Sequence, residues 1–288
     1  MKKILVIGIK GMAGHMIYHF FSENKGYDVY GLARNVESKA KLFDIDVSDT
    51  MTLSSLLKEH NFDYVINCIG ILNKDAEDNP AKAVWFNSFF PHYLEEITKE
   101  SQTKVIHIST DCVFSGKKGA YTENDFKDGK GFYAQSKSLG ELDNQKDVTI
   151  RTSIIGPEIN QNGIGLFHWF MSQKDDLILK GFTNAFWTGL TTLELSKVIH
   201  EIIEQKITGL IQVVPTYKID KYSLISLFNS IYKNNSITIE PNGDYFVDKS
   251  LLSLRSDFDY DVPNYDVMLE NQKKWILNHS NLYSQYIR

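Results

Sequence analysis

The amino-acid sequence predicts an α/β fold, a doubly wound parallel sheet with a smaller C-terminal lobe. The first observation is the apolar run at residues 4–7, typical of a strand buried on both faces of a parallel sheet. It passes directly into a G-x-x-G-x-x-G motif of Gly8, Gly11 and Gly14, and then into a helical pattern. The second observation is that further apolar runs alternate with helical patterns, which indicates strand–helix–strand units.

The glycine motif lies where a dinucleotide-binding turn is found. A strand, a glycine-rich turn and a helix together place backbone N–H groups against a pyrophosphate. The spacing differs from the G-x-G-x-x-G of many dehydrogenases, but its position after the first strand favours dinucleotide binding over a purely structural turn. The sheet is therefore expected to be of the Rossmann type.

Residues 1–156 are predicted to form the dinucleotide-binding domain, completed by elements at about residues 190–215. The predicted strands are residues 4–7, 28–32, 42–47, 62–69, 104–108 and 148–151, with a returning strand at 210–214. From Gly156 the sequence shifts to glycines and to aromatic, amide and hydroxyl side chains, which suit a sugar-binding face or the core of a small domain. We therefore assign residues 157–189 and 216–288 to a substrate-binding lobe.

The composition excludes several classes of protein. Among 288 residues, 42% are apolar and 23% are charged, which is typical of a protein with a full core. The net charge of −5 argues against nucleic acid or an anionic membrane as the main partner. No apolar stretch approaches the ~20 residues that a membrane span needs, and the first residues do not form a signal peptide.

Cysteine and histidine usage adds two further expectations. Cys68 and Cys112 are expected to be reduced thiols at strand ends, which predicts a cytoplasmic protein. His200 and Glu201 are not followed by a second histidine at the spacing of a zinc protease, and no metal site is predicted.

The stretch from residue 104 to residue 141 carries the candidate catalytic groups. It opens with an apolar strand pattern that ends near Thr110, and a polar, glycine-rich loop then leads to Tyr133 and Lys137. On a helix, a spacing of four places both side chains on one face. An ammonium beside a phenol is expected to lower the pKa of the phenol, so that it can exchange a proton with a carbonyl or an alcohol. Thr110 is expected to hydrogen-bond the same oxygen, so the stretch predicts the proton-handling half of a redox site.

The Tyr-x-x-x-Lys pattern occurs a second time at Tyr245 and Lys249. That pair follows a Pro-Asn-Gly-Asp turn, and no strand ending in hydroxyl side chains precedes it. The context therefore favours Tyr133 and Lys137.

The end of the second predicted strand favours NADPH over NADH. NAD-selective sites carry an Asp or Glu near this point that binds the ribose 2′-hydroxyl, whereas this chain has Arg34. A guanidinium suits a 2′-phosphate. Asp46, at the end of the third predicted strand, is placed to accept a hydrogen bond from the adenine amino group.

Asn87 is a polar residue in an otherwise apolar helical run, so its side chain needs a hydrogen-bond partner. Pro91 is expected to kink or restart the same helix. The pattern leaves two roles for Asn87 open, a structural cap and support of catalysis.

These motifs together closely resemble the extended short-chain dehydrogenase/reductase superfamily. They are the three glycines, Ser109-Thr110-Asp111 with Val113-Phe114-x-Gly116, the segment FYAQSK, Asn87 and Arg151-Thr152-Ser153. Within the superfamily, the chain is most similar to the dTDP-4-dehydrorhamnose reductase branch, over nearly the whole length and more loosely near the C-terminus.

The resemblance implies a set of site residues. The catalytic triad would be Thr110, Tyr133 and Lys137, with Lys137 also holding the nicotinamide ribose. The cofactor-binding residues for NADP would be Gly8, Lys10, Gly11, Met12, Arg34, Asp46, Val47, Cys68, Ile69, Gly70, Asn87, Ser109, Tyr133 and Lys137, with Asn67 beside them. The substrate-binding residues would be Asp111, Cys112, Val113, Thr152, Asn184 and Trp187.

Two departures from the superfamily patterns bear on the reaction. Its 4,6-dehydratases carry Thr-Asp-Glu where this chain has Thr110-Asp111-Cys112, and the missing acid favours a reductase. The rhamnose reductases usually have Tyr where Cys112 stands, so the nucleotide and the sugar stay open.

The reaction that the resemblance implies is NADPH-dependent reduction of the C4 ketone of a nucleotide-linked 4-keto-6-deoxy sugar for surface polysaccharide. The sugar would be dTDP-4-dehydrorhamnose or a UDP-4-keto-6-deoxy-N-acetylhexosamine. A nucleotide-sugar epimerase with a recycled cofactor and a non-catalytic NADP-sensing protein are the alternatives. The oligomeric state is not readable from these patterns, and a homodimer is left open.

Overall fold

The structure, a computed structural model, describes residues 1–287. The strands are β1 (Lys2–Ile7), β2 (Tyr27–Ala33), β3 (Leu42–Asp44), β4 (Tyr64–Asn67), β5 (Lys104–Ile108), β6 (Val148–Arg151), β7 (Ile154–Ile155), β8 (Ile178–Phe182), β9 (Ala185–Trp187), β10 (Leu190–Thr191), β11 (Gly209–Gln212), β12 (Ile219–Asp220), β13 (Thr238–Asn242) and β14 (Val247–Asp248). The α-helices are α1 (Met12–Glu23), α2 (Thr50–His60), α3 (Asn73–Asp78), α4 (Pro80–Ala83), α5 (Phe90–Thr98), α6 (Gly131–Leu139), α7 (Leu166–Met171), α8 (Thr192–Glu204), α9 (Lys221–Lys233) and α10 (Tyr265–Asn278). A π-helix, Val84–Phe89, joins α4 to α5, and 3₁₀ turns span Asp111–Val113 and Ser284–Tyr286.

Seven strands of the described chain form one sheet in the order β11-β6-β5-β4-β1-β2-β3. β1 pairs in parallel with both β2 and β4, and parallel pairing continues to β3 on one side and through β5 to β6 on the other. The strand order reverses between β1 and β4, which is the point where sheets of this kind bind ligands beyond the carboxyl ends of the strands. The predicted doubly wound, Rossmann-type fold class is confirmed.

The central strand β1 is covered on both faces, as its continuous apolar run predicts. All four residues from 4 to 7 have no exposed surface. Leu5 and Ile7 belong to a core cluster that also contains Leu53 of α2 and Phe90 of α5. Because side chains alternate along a strand, the residues between them face the other side of the sheet. Because both faces of the sheet are buried, polar functional groups are expected at the carboxyl ends of the strands.

β4 is shorter than the strand predicted at residues 62–69. Before it, Asn61 ends α2 in the left-handed conformation with a φ of 50°. After it, the Asn67 side-chain oxygen accepts a hydrogen bond from the Ile69 N–H at 3.1 Å. This local bond competes with the strand ladder, so the chain leaves the sheet at Asn67. β3 likewise ends at Asp44 rather than at residue 47.

The helical segment from Pro80 widens into the π-helix directly before Pro91. In a regular helix the Asn87 carbonyl would accept from the residue four positions later, but Pro91 has no N–H to donate. The widened turn accommodates this missing bond, and α5 begins at Phe90. The prediction that Pro91 disturbs the helix is therefore confirmed, with a π-turn as the form of the disturbance.

The chain divides into two compact units. The first comprises Met1–Val113, Lys130–Arg151 and Lys206–Ile211, and the second comprises Phe114–Gly129, Thr152–Gln205 and residues 212–287. The predicted first domain instead ran unbroken to residue 156 and took its completion from about 190–215. Loop 114–129 groups with the second unit because its backbone bonds there, including Tyr121 N to Ser250 O at 2.9 Å. The functional roles of the two units stay predictions.

The second unit contains three small groups of strands. β8 pairs with β13, β9 lies between β12 and β14, and β7 pairs with β10. Tyr245 and Lys249 flank β14, where the backbone is extended rather than helical. The second Tyr-x-x-x-Lys match therefore does not place its side chains on one helix face. Across residues 1–287, no helix is long and apolar enough to cross a membrane.

Candidate active site

The glycine turn after β1 brings the start of α1 close to the strand. Gly8 has a φ of +91°, in the left-handed region that favours glycine. A Cβ at Gly14 would lie 2.2 Å from the Gly8 carbonyl oxygen, so only glycine lets the helix approach this closely. α1 begins at Met12, and its N-cap residue Gly11 provides no side-chain hydrogen bond. No capping side chain therefore covers the first-turn N–H groups, as a pyrophosphate site requires.

Three predicted cofactor residues follow β4, and the first two lie against this turn. A Cβ at Gly8 would lie 3.1 Å from the Ile69 side chain and 3.4 Å from the Cys68 backbone. Gly70 follows directly, and all three residues are partly exposed. The structure thus brings the ends of β1 and β4 together at the predicted cofactor path.

Lys10 and Arg34 lie together at the carboxyl end of β2. Lys10 Nζ donates to the Arg34 carbonyl oxygen at 3.4 Å. The Arg34 guanidinium lies 3.3 Å from the Asp46 carboxylate, and these side chains are 67% and 40% exposed. Hydrogen bonds from Ser48, and then from Arg34, lower the pKa of Asp46. Val47 is buried in the core, so its side chain is not available to a ligand.

Asn87 ties the segment after β4 to helix α6. Its side-chain oxygen accepts from Ile71 N at 2.8 Å, and its nitrogen donates to Ile71 O at 2.9 Å and to Ser136 Oγ at 3.0 Å. Its backbone carbonyl also lies against Gly140, where a Cβ would be 1.8 Å from that oxygen. Of the two roles left open, the geometry supports positioning of the helix that carries the catalytic candidates. A direct contact between Asn87 and the cofactor stays a prediction.

Helix α6 carries Tyr133 and Lys137, as predicted. Its N-cap residue is Lys130, whose side chain has no hydrogen-bond acceptor. The Glu77 carboxylate takes that place, because the N–H groups of Phe132 and Tyr133 each donate to it at 3.1 Å. A carboxylate at a helix N-terminus is favoured by the helix dipole as well as by these bonds. Glu77 therefore fixes the backbone of Tyr133 itself.

Thr110 and Tyr133 meet at the carboxyl end of β5. The buried Thr110 hydroxyl accepts from the Cys112 N–H at 3.1 Å. Burial raises the pKa of Tyr133, the neighbouring Cys112 and Asp111 raise it further, and a hydrogen bond with Thr110 opposes the rise. The predicted lowering of this pKa is therefore wrong, because loss of hydration of the phenolate outweighs the other effects. Tyr133 is a protonated phenol at neutral pH.

Lys137 makes its hydrogen bonds to β5. Its Nζ donates to the Ile108 carbonyl oxygen at 2.6 Å and lies 3.2 Å from His107 Nε2. Burial lowers the pKa of Lys137 to about 8, against the opposing effects of Glu141 and Cys68. Its proton can thus be exchanged near neutral pH, unlike that of a surface lysine.

Ser109 belongs to a buried ionic cluster beneath the site. Its hydroxyl donates to Glu141 Oε1 at 2.7 Å. The Arg151 guanidinium binds the same carboxylate through two nitrogens, at 2.9 and 2.7 Å. All three residues are buried. The predicted contact of Ser109 with the cofactor stays a prediction, since its hydroxyl hydrogen is used inside the protein.

The predicted substrate-binding residues are divided between the two units. Asp111, Cys112 and Val113 form the 3₁₀ turn after Thr110 in the first unit, where only Cys112 is partly exposed. The other three are Thr152, Asn184 and Trp187, in the second unit. Thr152 and Trp187 are 1% and 4% exposed. The indole of Trp187 packs on the Tyr265 ring, and Asn184 Nδ2 donates to Gly243 O at 3.1 Å.

Two residues that support the site, His107 and Glu77, are not predicted from the sequence. His107 interrupts an apolar strand that is buried in the sheet, and a polar group in such a place needs partners. That signal was present in the sequence. Lys130 cannot cap α6, which indicates a cap from elsewhere, but the sequence does not say from which residue.

Comparison with known proteins identifies the family of this chain. The family profile described as the RmlD substrate binding domain matches residues 1–210. The chain is 33% identical over 140 residues to the probable low-salt glycan biosynthesis reductase Agl14 of Haloferax volcanii, covering 47% of this chain and 46% of that protein. It is 24% identical over 215 residues to a dTDP-4-dehydrorhamnose reductase of Aggregatibacter actinomycetemcomitans, covering 73% and 70%. The chain thus spans about half the length of Agl14.

A solved structure shows the same fold. The dTDP-4-dehydrorhamnose reductase of Bacillus anthracis, in complex with NADP, superimposes with a TM-score of 0.80 at 19% identity, covering 96% of this chain and 99% of that one. The profile match extends over most of the chain and includes the glycine turn, Thr110, Tyr133 and Lys137. The chain belongs to the family of the RmlD substrate binding domain, within the extended short-chain dehydrogenases/reductases.

Proposed function

We propose that this protein is a cytoplasmic reductase that uses NADPH to reduce the C4 ketone of a nucleotide-linked 4-keto-6-deoxy sugar. The observation that carries the proposal is the grouping of Thr110, Tyr133 and Lys137 around the carboxyl end of β5. A protonated phenol with a hydroxyl partner is a proton-donating pair, and it lies at the edge of the sheet where this fold binds its ligands. Similarity to Agl14, a probable glycan biosynthesis reductase, supports a reductase, and similarity to the dTDP-4-dehydrorhamnose reductase of Aggregatibacter supports a nucleotide-linked sugar as the substrate.

The first unit has the groups that NADP requires. The uncapped first turn of α1 suits the pyrophosphate, and the exposed guanidinium of Arg34 suits a 2′-phosphate, with Lys10 beside it. We therefore assign NADPH in preference to NADH. When bound, NADPH supplies the hydride that reduces the sugar carbonyl.

Tyr133 donates the proton that the reduced C4 oxygen takes up. Its raised pKa keeps the phenol protonated at neutral pH, as a proton donor must be. Thr110 hydrogen-bonds the same oxygen and holds it in line with the phenol. Lys137, whose pKa is about 8, offers a positive charge that stabilises the phenolate left behind, and we also assign it to the nicotinamide ribose.

The turn after Thr110 favours reduction over dehydration. Cys112 has no carboxylate, so the turn provides no acid to expel water from C6 of the sugar. We assign Asp111, Cys112 and Val113 to the sugar. In the second unit, Thr152 and Trp187 are buried, so Asn184 is the predicted substrate residue there with an accessible side chain.

The test follows NADPH oxidation with dTDP-4-dehydrorhamnose and a UDP-4-keto-6-deoxy-N-acetylhexosamine side by side. Turnover of either establishes the ketone reductase, and the preferred substrate identifies the nucleotide. Tyr133→Phe should lower kcat by roughly 10²–10⁴-fold, the usual loss for a general acid, and leave NADPH binding nearly intact. Unchanged kcat in that variant contradicts the assignment of Tyr133.

The remaining outcomes separate the alternatives. A changed sugar without net NADPH consumption indicates an epimerase that recycles its cofactor. NADPH binding without any change in either sugar indicates a sensing protein. Both results overturn the reductase assignment.

A further inference from the structure

His107 is a fully buried histidine with one partner at each ring nitrogen. It lies in β5 and has no exposed surface. Its Nδ1 is 3.1 Å from Asn67 Nδ2, and its Nε2 is 3.2 Å from Lys137 Nζ. The three side chains thus form a line that ends at a residue of the proposed catalytic set.

The orientation of Asn67 is determined by its other contact. The Asn67 side-chain oxygen lies 3.1 Å from Ile69 N. A backbone N–H can only donate, so the amide oxygen faces Ile69 and the amide NH₂ faces His107. His107 Nδ1 must then accept a hydrogen bond through its lone pair.

The position of the His107 proton follows from this. Burial alone holds the pKa of His107 well below its ordinary value, and a charged Lys137 lowers it further, so in either state of Lys137 the ring is neutral and carries one proton. With Nδ1 as acceptor, that proton is on Nε2 and is directed at Lys137 Nζ. An ammonium offers only N–H donors to this contact, whereas a neutral amine offers a lone pair. The observed arrangement therefore matches a neutral Lys137, which still donates to Ile108 O at 2.6 Å.

We propose that His107 is a positioning residue for Lys137, and that the His107 proton moves between ring nitrogens when Lys137 gains or loses its own proton. When Lys137 is an ammonium, Nε2 must accept, so His107 carries its proton on Nδ1. Asn67 then has to turn its oxygen to His107, which takes the acceptor away from Ile69 N–H. The protonation of Lys137 is thereby coupled to the orientation of a buried amide.

Four other groups act on this line. Glu141 favours the charged form of Lys137, as Cys68 would only as a thiolate, and the Glu141 carboxylate is itself held by Arg151. A positive charge on His92 of α5 disfavours a positive charge on His107. Burial raises the pKa of Cys68, so this group stays a neutral thiol. Burial favours the neutral form of Lys137 and Glu141 favours the charged form. Because these two effects oppose each other, the two protonation states of Lys137 are close in free energy.

The decisive experiment is NMR of the full chain labelled with ¹⁵N-histidine, recorded from pH 6 to pH 10. We expect His107 to change from the Nδ1–H tautomer to the Nε2–H tautomer as the pH rises, and never to carry both protons. His15 is an internal control in the same spectra. It is also buried, with Nδ1 2.8 Å from the Gly11 carbonyl oxygen, which can only accept, so its tautomer should not change. A single His107 tautomer over the whole range overturns the inference.

A variant extends the test to kinetics. Asn67→Asp supplies an acceptor to Nδ1 at every pH, so His107 should stay in the Nδ1–H form and Lys137 should stay charged to higher pH. The alkaline limb of kcat should then move up by at least one pH unit, a tenfold change in proton concentration. If this variant does not fold, the wild-type spectra decide alone.

The kinetic arm rests on the proposed function, and the spectroscopic arm does not. Absence of NADPH oxidation in the wild type therefore counts against the reductase assignment only. Absence of the tautomer change counts against the role of His107 only.

Discussion

Removal of the Glu77 carboxylate should weaken both helix α6 and catalysis. Glu77 accepts the N–H groups of Phe132 and Tyr133, each at 3.1 Å, and the N-cap residue Lys130 offers no replacement. Loss of a helix cap costs ~1 kcal/mol, within a range of about 0.5–2 kcal/mol. Because Glu77 is exposed, the charge–dipole contribution is at the low end of about 0.3–1 kcal/mol. We therefore expect Glu77→Ala to lower the free energy of unfolding by about 1–2 kcal/mol.

The kinetic effect should exceed what this loss of stability explains. The released N–H belongs to Tyr133 itself, so the phenol loses its position relative to the sugar oxygen. A misplacement of about 1 Å costs roughly 10²-fold in rate, and we expect kcat to fall by about ten- to a hundredfold with a small change in the KM for NADPH. Glu77→Gln keeps one acceptor oxygen, so its kcat should lie between that of wild type and that of Glu77→Ala.

The assays are denaturant unfolding, amide hydrogen exchange at Phe132 and Tyr133, and NADPH oxidation at saturating sugar. Asp78→Ala is the matched control, because Asp78 lies on the same helix α3 but pairs with Lys74 instead of α6. That exposed pair contributes about 0–1 kcal/mol and does not touch the site. If Glu77→Ala and Asp78→Ala show the same stability, exchange and kcat, the capping argument is refuted.

Three further predictions follow from close contacts and charges in the first unit. Gly140→Ala should destabilise the protein by about 1–3 kcal/mol or more and lower kcat, because the new Cβ would lie 1.8 Å from the Asn87 carbonyl oxygen. Arg34→Ala should raise the KM for NADPH about tenfold, equivalent to ~1.4 kcal/mol, and change that for NADH little. Lys137 has a folded pKa of about 8, below its ordinary 10.5, so between these pH values the unfolded chain binds the proton more tightly. Burying the charged form of Lys137 therefore destabilises the folded protein below about pH 8, and this destabilisation is lost as the pH rises toward 10.5. The free energy of unfolding of wild type should accordingly rise relative to that of Lys137→Met between pH 8 and pH 10.5.

Controls for these predictions are available in the same chain. Gly26→Ala adds a methyl group that would meet only the Asn24 side chain, at 3.2 Å, and should be nearly neutral. Lys39→Ala removes another exposed cation, paired with Glu37, and should not change the KM for NADPH. A stability difference between wild type and Lys137→Met that does not vary from pH 8 to pH 10.5 contradicts the lowered pKa of Lys137.

The sheet and helix α6 could be predicted from neighbouring residues alone. The run at residues 4–7 and the glycines after it encode a strand and a turn locally, and β6 has the predicted bounds of Val148–Arg151. The spacing of Tyr133 and Lys137 gives a shared helix face because helical geometry depends only on sequence separation. The apolar run before Thr110 likewise predicted the end of β5 at Ile108.

The electrostatics of the site depended on contacts between distant residues. Glu77 caps a helix 56 positions away, and His107 bonds to Asn67 across 40 positions and to Lys137 across 30. The pKa of Tyr133 rises rather than falls because its burial is a property of the folded packing. Local patterns therefore determined which groups line the strand ends. Only the tertiary structure decided the protonation states of these groups and the hydrogen bonds that hold them in position. Hydration and long-range hydrogen bonds exist only once separate segments have packed together.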